Sequence, residues 1–158
     1  MSHEASNRMP VHIRPLELSD YEGWLPLWRG YNSFYERELP APITATAWKR
    51  FHDPAEPMHA LVAHHDGRIV GIVHYLFHRS TSMIEPTCYL QDLFTIASMR
   101  GRGVGHALIE AVYAKANEAG AGRVYWQTHE TNATAMKLYD TIADRSGFVV
   151  YRKLLGKL

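Results

Sequence analysis

Apolar and aromatic residues recur along the chain at two spacings, one typical of strands and one typical of helices. Val11 to Arg14 predicts a short first strand. Ser19 and Glu22 have the spacing of a helix-capping box, so we expect a helix that begins there and kinks at Pro26. The residues of its apolar face are Tyr21, Trp24, Leu25, Trp28 and Tyr31. A short second helix is expected over residues 44–51.

The middle of the chain has the pattern of a β-hairpin followed by another strand. Met58 to His65 and Arg68 to His78 flank Asp66 and Gly67, a pair that favours the positive φ angles of a two-residue turn. We expect the two segments to pair antiparallel. A further strand of the same sheet is expected from Thr87 to Ile96.

The second half alternates between helix and strand. The helix expected after Gly103 has an apolar stripe made of Val104, Ala107, Leu108, Ala111 and Val112. Arg123 to Thr128 is rich in strand-forming residues, and Asn132 is a suitable cap for a last helix that Gly147 ends. The stripe of that helix is Ala135, Leu138, Tyr139, Ile142 and Ala143. Phe148 to Leu154 is expected to be the final strand.

The order of these elements, β-α-α-β-β-β-α-β-α-β, indicates the fold class. Antiparallel strands followed by a βαβ unit predict an α/β (α+β) fold, with a mixed, mostly antiparallel sheet and helices on both faces. A length of 158 residues suits one domain. We therefore expect a single domain over residues 11–158, preceded by a flexible tail over residues 1–10.

Composition and charge exclude several classes of partner. The chain has 17 Lys and Arg against 16 Asp and Glu, so a net charge of +1 predicts neither nucleic-acid nor membrane-surface binding. The single cysteine, Cys88, cannot form an intrachain disulfide, and residues 1–10 lack the apolar core of a secretion signal. Ile69 to Phe77, the most apolar stretch, is far shorter than the about 20 residues that span a membrane. These features predict a cytoplasmic protein.

Ten histidines raise the question of a metal site. His129 and Glu130 begin like a zinc-protease motif, but the second histidine of that motif is missing. With one thiol and no close third ligand, we expect no metal.

The segment from Arg100 to Gly105 places three glycines at a strand-to-helix turn. The first amides of a helix have no partner within the helix, and its dipole adds positive potential there, so a diphosphate is a suitable ligand. The spacing fits neither a dinucleotide fingerprint nor a P-loop, since the required third glycine and the Lys-Ser/Thr pair are absent. Close packing of helix on sheet is the alternative explanation for these glycines.

These motifs together resemble the GNAT superfamily of acetyl-coenzyme A-dependent N-acetyltransferases. The matching residues are Arg100-x-x-Gly103-x-Gly105 after Leu90 to Thr95, then Asn132, Ala135 and Tyr139, then Gly147 and Phe148. The resemblance extends over Val11 to Leu154 and is similar to the histone and polyamine (spermidine/spermine) acetyltransferase-like branch.

The resemblance implies acetyl-CoA as the acetyl donor. The loop implied to hold its pyrophosphate consists of Arg100, Gly101, Arg102, Gly103, Val104 and Gly105. The main chain of Leu93, Phe94 and Thr95 is implied to pair with the pantetheine arm, in a cleft where the sheet splays at its parallel strand pair. Asn132, Ala135 and Tyr139 are implied to lie along that arm.

The chemistry needs an acid for the leaving thiolate and a route for the proton of the amine. Tyr139 matches the family's acid, although its helical spacing alone favours a core residue. Spermidine/spermine acetyltransferases have a glutamate where this chain has Gln91, which cannot act as a base. We therefore expect a water relay near Asp92 or Glu130, with His129 as a further candidate.

The acceptor amine is expected to bind between the loop after the first helix and the hairpin edge. The residues expected to contact it are Tyr31, Phe34, Tyr35, Glu36 and Glu38, together with Gln91. Aromatic rings and carboxylates suit a cation, but they do not choose among a polyamine, a lysine and an amino acid. Alternatives to an enzyme are an acyl-CoA sensor module and, less consistent with the net charge, a nucleic-acid binder. Proteins that resemble this chain commonly form homodimers.

Overall fold

The computed structural model describes residues 10–156 of the chain. The predicted flexible tail therefore lies outside the described residues, apart from Pro10. The contacts within the chain divide it into two compact units, one ending at Gln127 and one beginning at Thr128. The single domain over residues 11–158 stays a prediction, and each unit is described by itself.

The first unit is built on a five-stranded sheet in the order β1-β2-β3-β4-β5. Its strands are β1 (His12–Pro15), β2 (Met58–His65), β3 (Arg68–His78), β4 (Thr87–Thr95) and β5 (Arg123–Tyr125). Strands β1 to β4 pair antiparallel, whereas β4 and β5 pair parallel. The predicted mixed, mostly antiparallel sheet is confirmed. The hairpin turn is also confirmed, with positive φ at both Asp66 and Gly67.

Helices cover both faces of this sheet, as the element order predicts. The helices of the first unit are α1 (Tyr21–Phe34), α2 (Ala41–Phe51) and α3 (Val104–Glu118). Trp24 of α1 belongs to a buried core cluster with Val62 and Ile72. Neighbouring residues of a strand point to opposite faces, so Gly71 of β3 lies under α3 on the other side.

Gly71 sets how closely α3 approaches the sheet. A Cβ at this position would lie 2.9 Å from both Val104 Cγ1 and Leu108 Cδ1. Overfilling a packed core in this way costs about 1–3 kcal/mol, so the glycine permits an approach that a larger residue would oppose. The first turn of α3 is therefore held against β3, which fixes the position of the loop before it.

The start of α1 differs from the sequence prediction. A 3-10 turn (Leu18–Asp20) precedes the helix, and Asp20 accepts a hydrogen bond from the Glu17 amide at 2.7 Å. The Asp20 carboxylate is also paired with Arg14 through bonds of 2.7 and 2.8 Å, and the hydrogen bond from Arg14 lowers its pKa. The predicted capping box of Ser19 and Glu22 is therefore wrong, because Asp20 occupies the cap position.

Proline lies in the interior of α1 and at the start of α2. Helix α1 continues through Pro26 without interruption. Helix α2 begins at Ala41, three residues before the predicted start, with Pro40 at the N-cap and Pro42 in the first turn. Proline is tolerated there because the first amides of a helix have no acceptor within it.

The second unit contains α4 (Ala133–Ile142). Asn132 occupies its N-cap position, but the side chain does not cap the helix, because Nδ2 donates to Thr128 Oγ1 at 3.2 Å. The helix ends at Ile142, before the predicted stop at Gly147. Among the described residues no helix is long and apolar enough to cross a membrane.

Two strand predictions near the end of the chain are wrong. Strand β5 ends at Tyr125 rather than Thr128, and Phe148 to Leu154 forms no strand. Phe148 and Tyr151 are 90% and 93% exposed. An alternating sequence favours an extended backbone, but a strand also needs a neighbour to complete its hydrogen-bond ladder. Within the described range 10–156, this segment has none.

Candidate active site

The loop between β4 and α3 presents unpaired amides. Gly101 and Gly103 have φ angles of 74° and 86°, a left-handed conformation that side chains with a Cβ rarely adopt. The hydrogen-bond ladder of α3 begins with the Ala107 amide, which donates to the Gly103 carbonyl at 3.0 Å. The amides of Gly105 and His106 come before this bond, so they have no acceptor within the helix. Together with the helix dipole, they form a suitable site for a diphosphate.

The Arg100 side chain closes the end of β4. Its Nε donates to the Thr95 carbonyl at 3.2 Å, and its guanidinium lies 5.4 Å from the centre of the Phe94 ring. Arg100 therefore supports the loop with a side chain that is itself exposed. Arg102 is exposed, so its charge faces solvent.

Strand β4 has an open edge next to this loop. Its pairing with β5 extends only from Thr87 to Tyr89, whereas the strand itself continues to Thr95. The Ile96 amide donates to Val70 of β3, and alternate residues of a strand direct their main-chain groups to opposite edges. The Thr95 amide and the main-chain groups of Leu93 therefore face the open edge, which fits the pairing implied for a pantetheine arm, whereas the Thr95 carbonyl already accepts from Arg100.

A β-bulge brings two polar residues of β4 to one cavity. His74 pairs with Asp92, but the next residue, Tyr75, pairs with Leu90, so Gln91 is the extra residue. Asp92 is buried and Gln91 is exposed, yet both line the same cavity of about 250 Å³. Because neighbouring residues of a regular strand face opposite sides, only the bulge permits this arrangement.

Asp92 lies within a buried polar network. Its Oδ2 is 2.9 Å from His74 Nδ1, and His74 Nε2 is 3.0 Å from Trp24 Nε1. The Tyr31 phenol also faces Asp92: burial first, and then the charge of Asp92 and a hydrogen bond to it, raise the pKa of Tyr31. Donors on α1 and β3 thus hold the carboxyl group of Asp92.

The cavity also contains a cationic side chain, that of Arg37. Its guanidinium lies 5.6 Å from the centre of the Tyr31 ring and 5.5 Å from that of Tyr35, within the range of cation–π contact. Tyr31 and Tyr35 pack against one another edge to face. The cavity is therefore lined by the carboxyl group of Asp92 and by the guanidinium group of Arg37, which contacts two tyrosine rings.

Other residues predicted for the acceptor site have different surroundings. Phe34, Glu36 and Glu38 are exposed and are not among the residues that line the cavity. Glu36 has a φ of 55°, which places it at the tight turn after α1. Contact of these three side chains with an acceptor stays a prediction.

The predicted residues of the second unit lie on α4 and the turn before it. Glu130 is exposed, and Tyr139, Asn132 and Ala135 are half-buried. His129 Nδ1 lies 2.7 Å from Thr131 Oγ1 within the same turn. The proposed roles of these residues stay predictions.

Neither a reactive cysteine nor a metal cluster is found in the described part of the chain. Cys88 is fully buried, and burial raises the pKa of its thiol to about 11. The thiolate, which is the nucleophilic form, is therefore scarce at neutral pH. In residues 10–156 no group of three or more His, Cys, Asp or Glu side chains is arranged to bind a metal ion.

Three residues of the cavity and its network were not identified as site residues from the sequence: Trp24, His74 and Arg37. His74 and Asp92 are 18 positions apart and meet only because β3 and β4 pair in this register. To place His74 beside Asp92 from the sequence, the pairing register of β3 with β4 and the position of the bulge must both be known. Arg37 was missed because the acidic residues beside it gave the stronger signal.

Comparisons with known proteins show the family of this chain. The family model described as "Acetyltransferase (GNAT) family" matches residues 21–142. The D-amino-acid N-acetyltransferase HPA3 of Saccharomyces cerevisiae is 33% identical over 158 residues, covering 97% of this chain and 98% of the yeast protein.

Solved structures share the fold. The ribosomal-protein-alanine N-acetyltransferase from Brucella melitensis biovar Abortus 2308 has a TM-score of 0.77 at 24% identity, covering 93% of this chain and all of that one. AAC(6')-Iy, solved with the bisubstrate analogue CoA-S-monomethyl-acetylneamine, has a TM-score of 0.80 at 20% identity, covering 93% and 100%. On the family match and the yeast relative, the chain belongs to the GNAT family of acetyltransferases, enzymes that use acetyl-CoA as the acetyl donor.

Proposed function

We propose that this chain transfers the acetyl group of acetyl-CoA to the primary amine of a small molecule, with a free amino acid as the favoured acceptor. The observation that carries this proposal is one cavity, next to the open edge of β4, lined by both Asp92 and Arg37. An amino acid has an amine and a carboxylate of opposite charge, and the two side chains complement them.

The donor is assigned to main-chain groups. The amides of Gly105 and His106, with the loop from Arg100 to Gly103, are proposed to hold the pyrophosphate. The edge of β4 at Leu93 and Thr95 is proposed to pair with the pantetheine arm. When bound, acetyl-CoA supplies a thioester carbonyl that is open to attack.

The proposed reaction is direct attack, with proton transfers at both ends. The amine nitrogen bonds to the thioester carbon, the carbon–sulfur bond breaks, and the thiolate takes a proton from Tyr139. The acceptor ammonium first gives one proton to Asp92 through a water molecule, and the second proton, lost after the carbon–nitrogen bond forms, returns through water to the Tyr139 phenolate. An alkyl ammonium group with a pKa near 10.4 leaves only about one molecule in 2,500 neutral at pH 7, so this route matters. Glu130 is the second candidate for the base.

Three observations support an amino acid as the acceptor. The yeast relative is named as a D-amino-acid N-acetyltransferase. Arg37 contacts the rings of Tyr31 and Tyr35 and makes no ion pair with an acidic side chain of residues 10–156, so it is placed to bind a carboxylate. A cavity of about 250 Å³ lies below the range of about 300–1,000 Å³ that is typical of drug-sized ligands, so a small acceptor fits.

A polyamine or a lysine side chain is the second candidate acceptor. The exposed carboxylates of Glu36 and Glu38, which flank Arg37 in the sequence, favour a cation. Arg37 opposes it, because a second positive charge on the acceptor would lie near the guanidinium. The alternative to an enzyme is a sensor that binds acyl-CoA without transfer of the acetyl group. Only Gln91 favours it, because this amide stands where related enzymes have a base.

The location proposed from the sequence is the cytoplasm. The one cysteine, Cys88, is buried and unpaired, which is consistent with a reducing compartment.

The acceptor class is tested with a panel of amines. Purified protein with acetyl-CoA is offered free amino acids, the amines that lack their carboxylate, polyamines and a lysine peptide, and acetylated products are identified by mass spectrometry. We expect amino acids to be acetylated best. Arg37→Gln should raise KM for an amino acid about tenfold or more, since a charge-assisted pair is lost, and leave KM for the matching amine unchanged.

Two results of the panel would contradict this assignment. If polyamines are acetylated best, and if Arg37→Gln strengthens that preference, the acceptor is a polyamine rather than an amino acid. Binding of acetyl-CoA with no product from any amine would favour the sensor.

Tyr139 is tested by removal of its hydroxyl group. Tyr139→Phe should lower kcat about a hundredfold or more, the usual contribution of a general acid, and leave CoA affinity nearly unchanged. The thiol released is measured with a chromogenic disulfide, to which the buried Cys88 is a poor reactant. The matched control is Tyr151→Phe, since Tyr151 is 93% exposed in the same unit. Equal kcat for the two variants would remove Tyr139 from the mechanism.

We also propose that the chain forms a homodimer through its C-terminal segment. Phe148 to Leu154 has the sequence of a strand, has no partner in the described chain and exposes large apolar side chains. Exposed apolar patches of this kind mark interaction sites. Strand β5, at the edge of the sheet, gives a second copy an unpaired ladder that such a segment can extend.

Sedimentation equilibrium tests the dimer. We expect twice the mass of one chain for the native protein and a monomer for the double variant Val149→Lys with Tyr151→Lys, which charges one side of the segment. Lys153→Arg is the control that keeps the charge. A native monomer, or a dimer that survives the double variant, would contradict the proposal.

A further inference from the structure

A buried chain of hydrogen bonds connects α1 to the floor of the cavity. Trp24 Nε1 lies 3.0 Å from His74 Nε2, and His74 Nδ1 lies 2.9 Å from Asp92 Oδ2. Trp24, His74 and Asp92 are 0%, 4% and 9% exposed. Phe51 and Trp28 pack around the imidazole, with ring centres 4.5 and 5.3 Å away. The imidazole therefore has protein partners at both nitrogens and little access to solvent.

The indole determines which nitrogen of His74 carries the proton. An indole N–H can only donate, so His74 Nε2 must accept and cannot carry a hydrogen. The proton of the neutral ring is then on Nδ1, where it is donated to Asp92. His74 is for the same reason not the base itself, because its one lone pair is already bonded to Trp24.

We propose that His74 is a positioning residue for Asp92, and that Trp24, by donating to Nε2, fixes the imidazole in the orientation in which Nδ1 donates to that carboxylate. The bond to His74 uses Oδ2 and fixes the side-chain rotamer of Asp92. A carboxylate has about four acceptor sites, of which His74 and the Tyr31 phenol use two, so the others remain available to water or amine. Trp24 thus acts on Asp92 through two hydrogen bonds and does not line the cavity proposed for the acceptor amine.

This inference rests on the proposed role of Asp92 as the base. A merely structural network would make the same contacts, because buried polar groups need partners whatever their function. The two cases differ in which hydrogen bond matters for turnover. If the network is only structural, loss of either hydrogen bond of His74 should lower kcat to a similar extent. If His74 positions Asp92, loss of the bond to Asp92 should lower kcat more than loss of the bond to Trp24.

A pair of amide variants separates the two hydrogen bonds. His74→Asn places an amide NH₂ near the position of Nδ1, so it can still donate to Asp92 but loses the acceptor for Trp24. His74→Gln extends its amide to the position of Nε2, so it can accept from Trp24 but leaves Asp92 without this donor. Both replace an imidazole by an amide at the same buried site, and each is the control for the other.

We expect His74→Gln to lower kcat about ten- to a hundredfold, with KM for the amine changed less than about threefold, because the loss of a buried donor is worth that factor. His74→Asn, which keeps a donor to Asp92, should lose at least about threefold less kcat than His74→Gln. Melting temperatures are measured for both variants to compare their stability. Equal loss of kcat in the two variants, in proportion to their loss of stability, would overturn the proposal.

The tautomer is measured without any transfer assay. Long-range ¹⁵N–¹H correlation spectra of the native protein should show His74 protonated at Nδ1 and unprotonated at Nε2, and Trp24→Phe should shift the Nε2 resonance, because that nitrogen loses its donor, while Nδ1 keeps the proton that it donates to Asp92. A native His74 with a proton on Nε2 would overturn the inference. Absence of acetyl transfer by the native protein would instead overturn the proposed function, and the spectrum distinguishes the two failures.

Discussion

The account depends on main-chain hydrogen-bonding groups that the fold leaves without a partner. Backbone amides and carbonyls are nearly always paired in a folded protein, so a local group of unpaired ones needs an explanation. In the described residues two such groups lie side by side, at the start of α3 and at the edge of β4 after its pairing with β5 ends. A ligand with a diphosphate at one end and an amide-containing arm can satisfy both.

The acceptor side depends on a single irregularity of the sheet. The extra residue at Gln91 brings Asp92 to the cavity, and His74 on the neighbouring strand then holds its carboxylate. Arg37 reaches the same cavity from the turn after α1, supported by two tyrosine rings. This chain lacks a glutamate at position 91, and the bulge instead brings the carboxylate of Asp92 to the cavity.

The sequence predicted the regular parts of the fold because their signals are local. The Asp66-Gly67 turn and the stripes of α1 and α3 need only nearby residues, and the three glycines located the anion loop. The capping box failed because Ser19 lies inside the 3-10 turn Leu18–Asp20, which is held by the bonds of Asp20 to the Glu17 amide and to Arg14. The final strand failed because a strand also needs a partner. The bond between His74 and Asp92 was missed because it depends on a non-local register and on a bulge.

The central claim is that the amides at the start of α3 bind the pyrophosphate of CoA, and calorimetry on a matched pair of variants tests it most directly. Gly103 and Gly120 lie at opposite ends of α3 and have φ angles of 86° and 71°. Alanine at either position introduces about 1–2 kcal/mol of left-handed strain, but only Gly103→Ala disturbs the loop. We predict that Gly103→Ala binds CoA about tenfold or more weakly and that Gly120→Ala binds it as the native protein does. Unchanged affinity in Gly103→Ala, or no CoA binding by the native protein, would contradict the account.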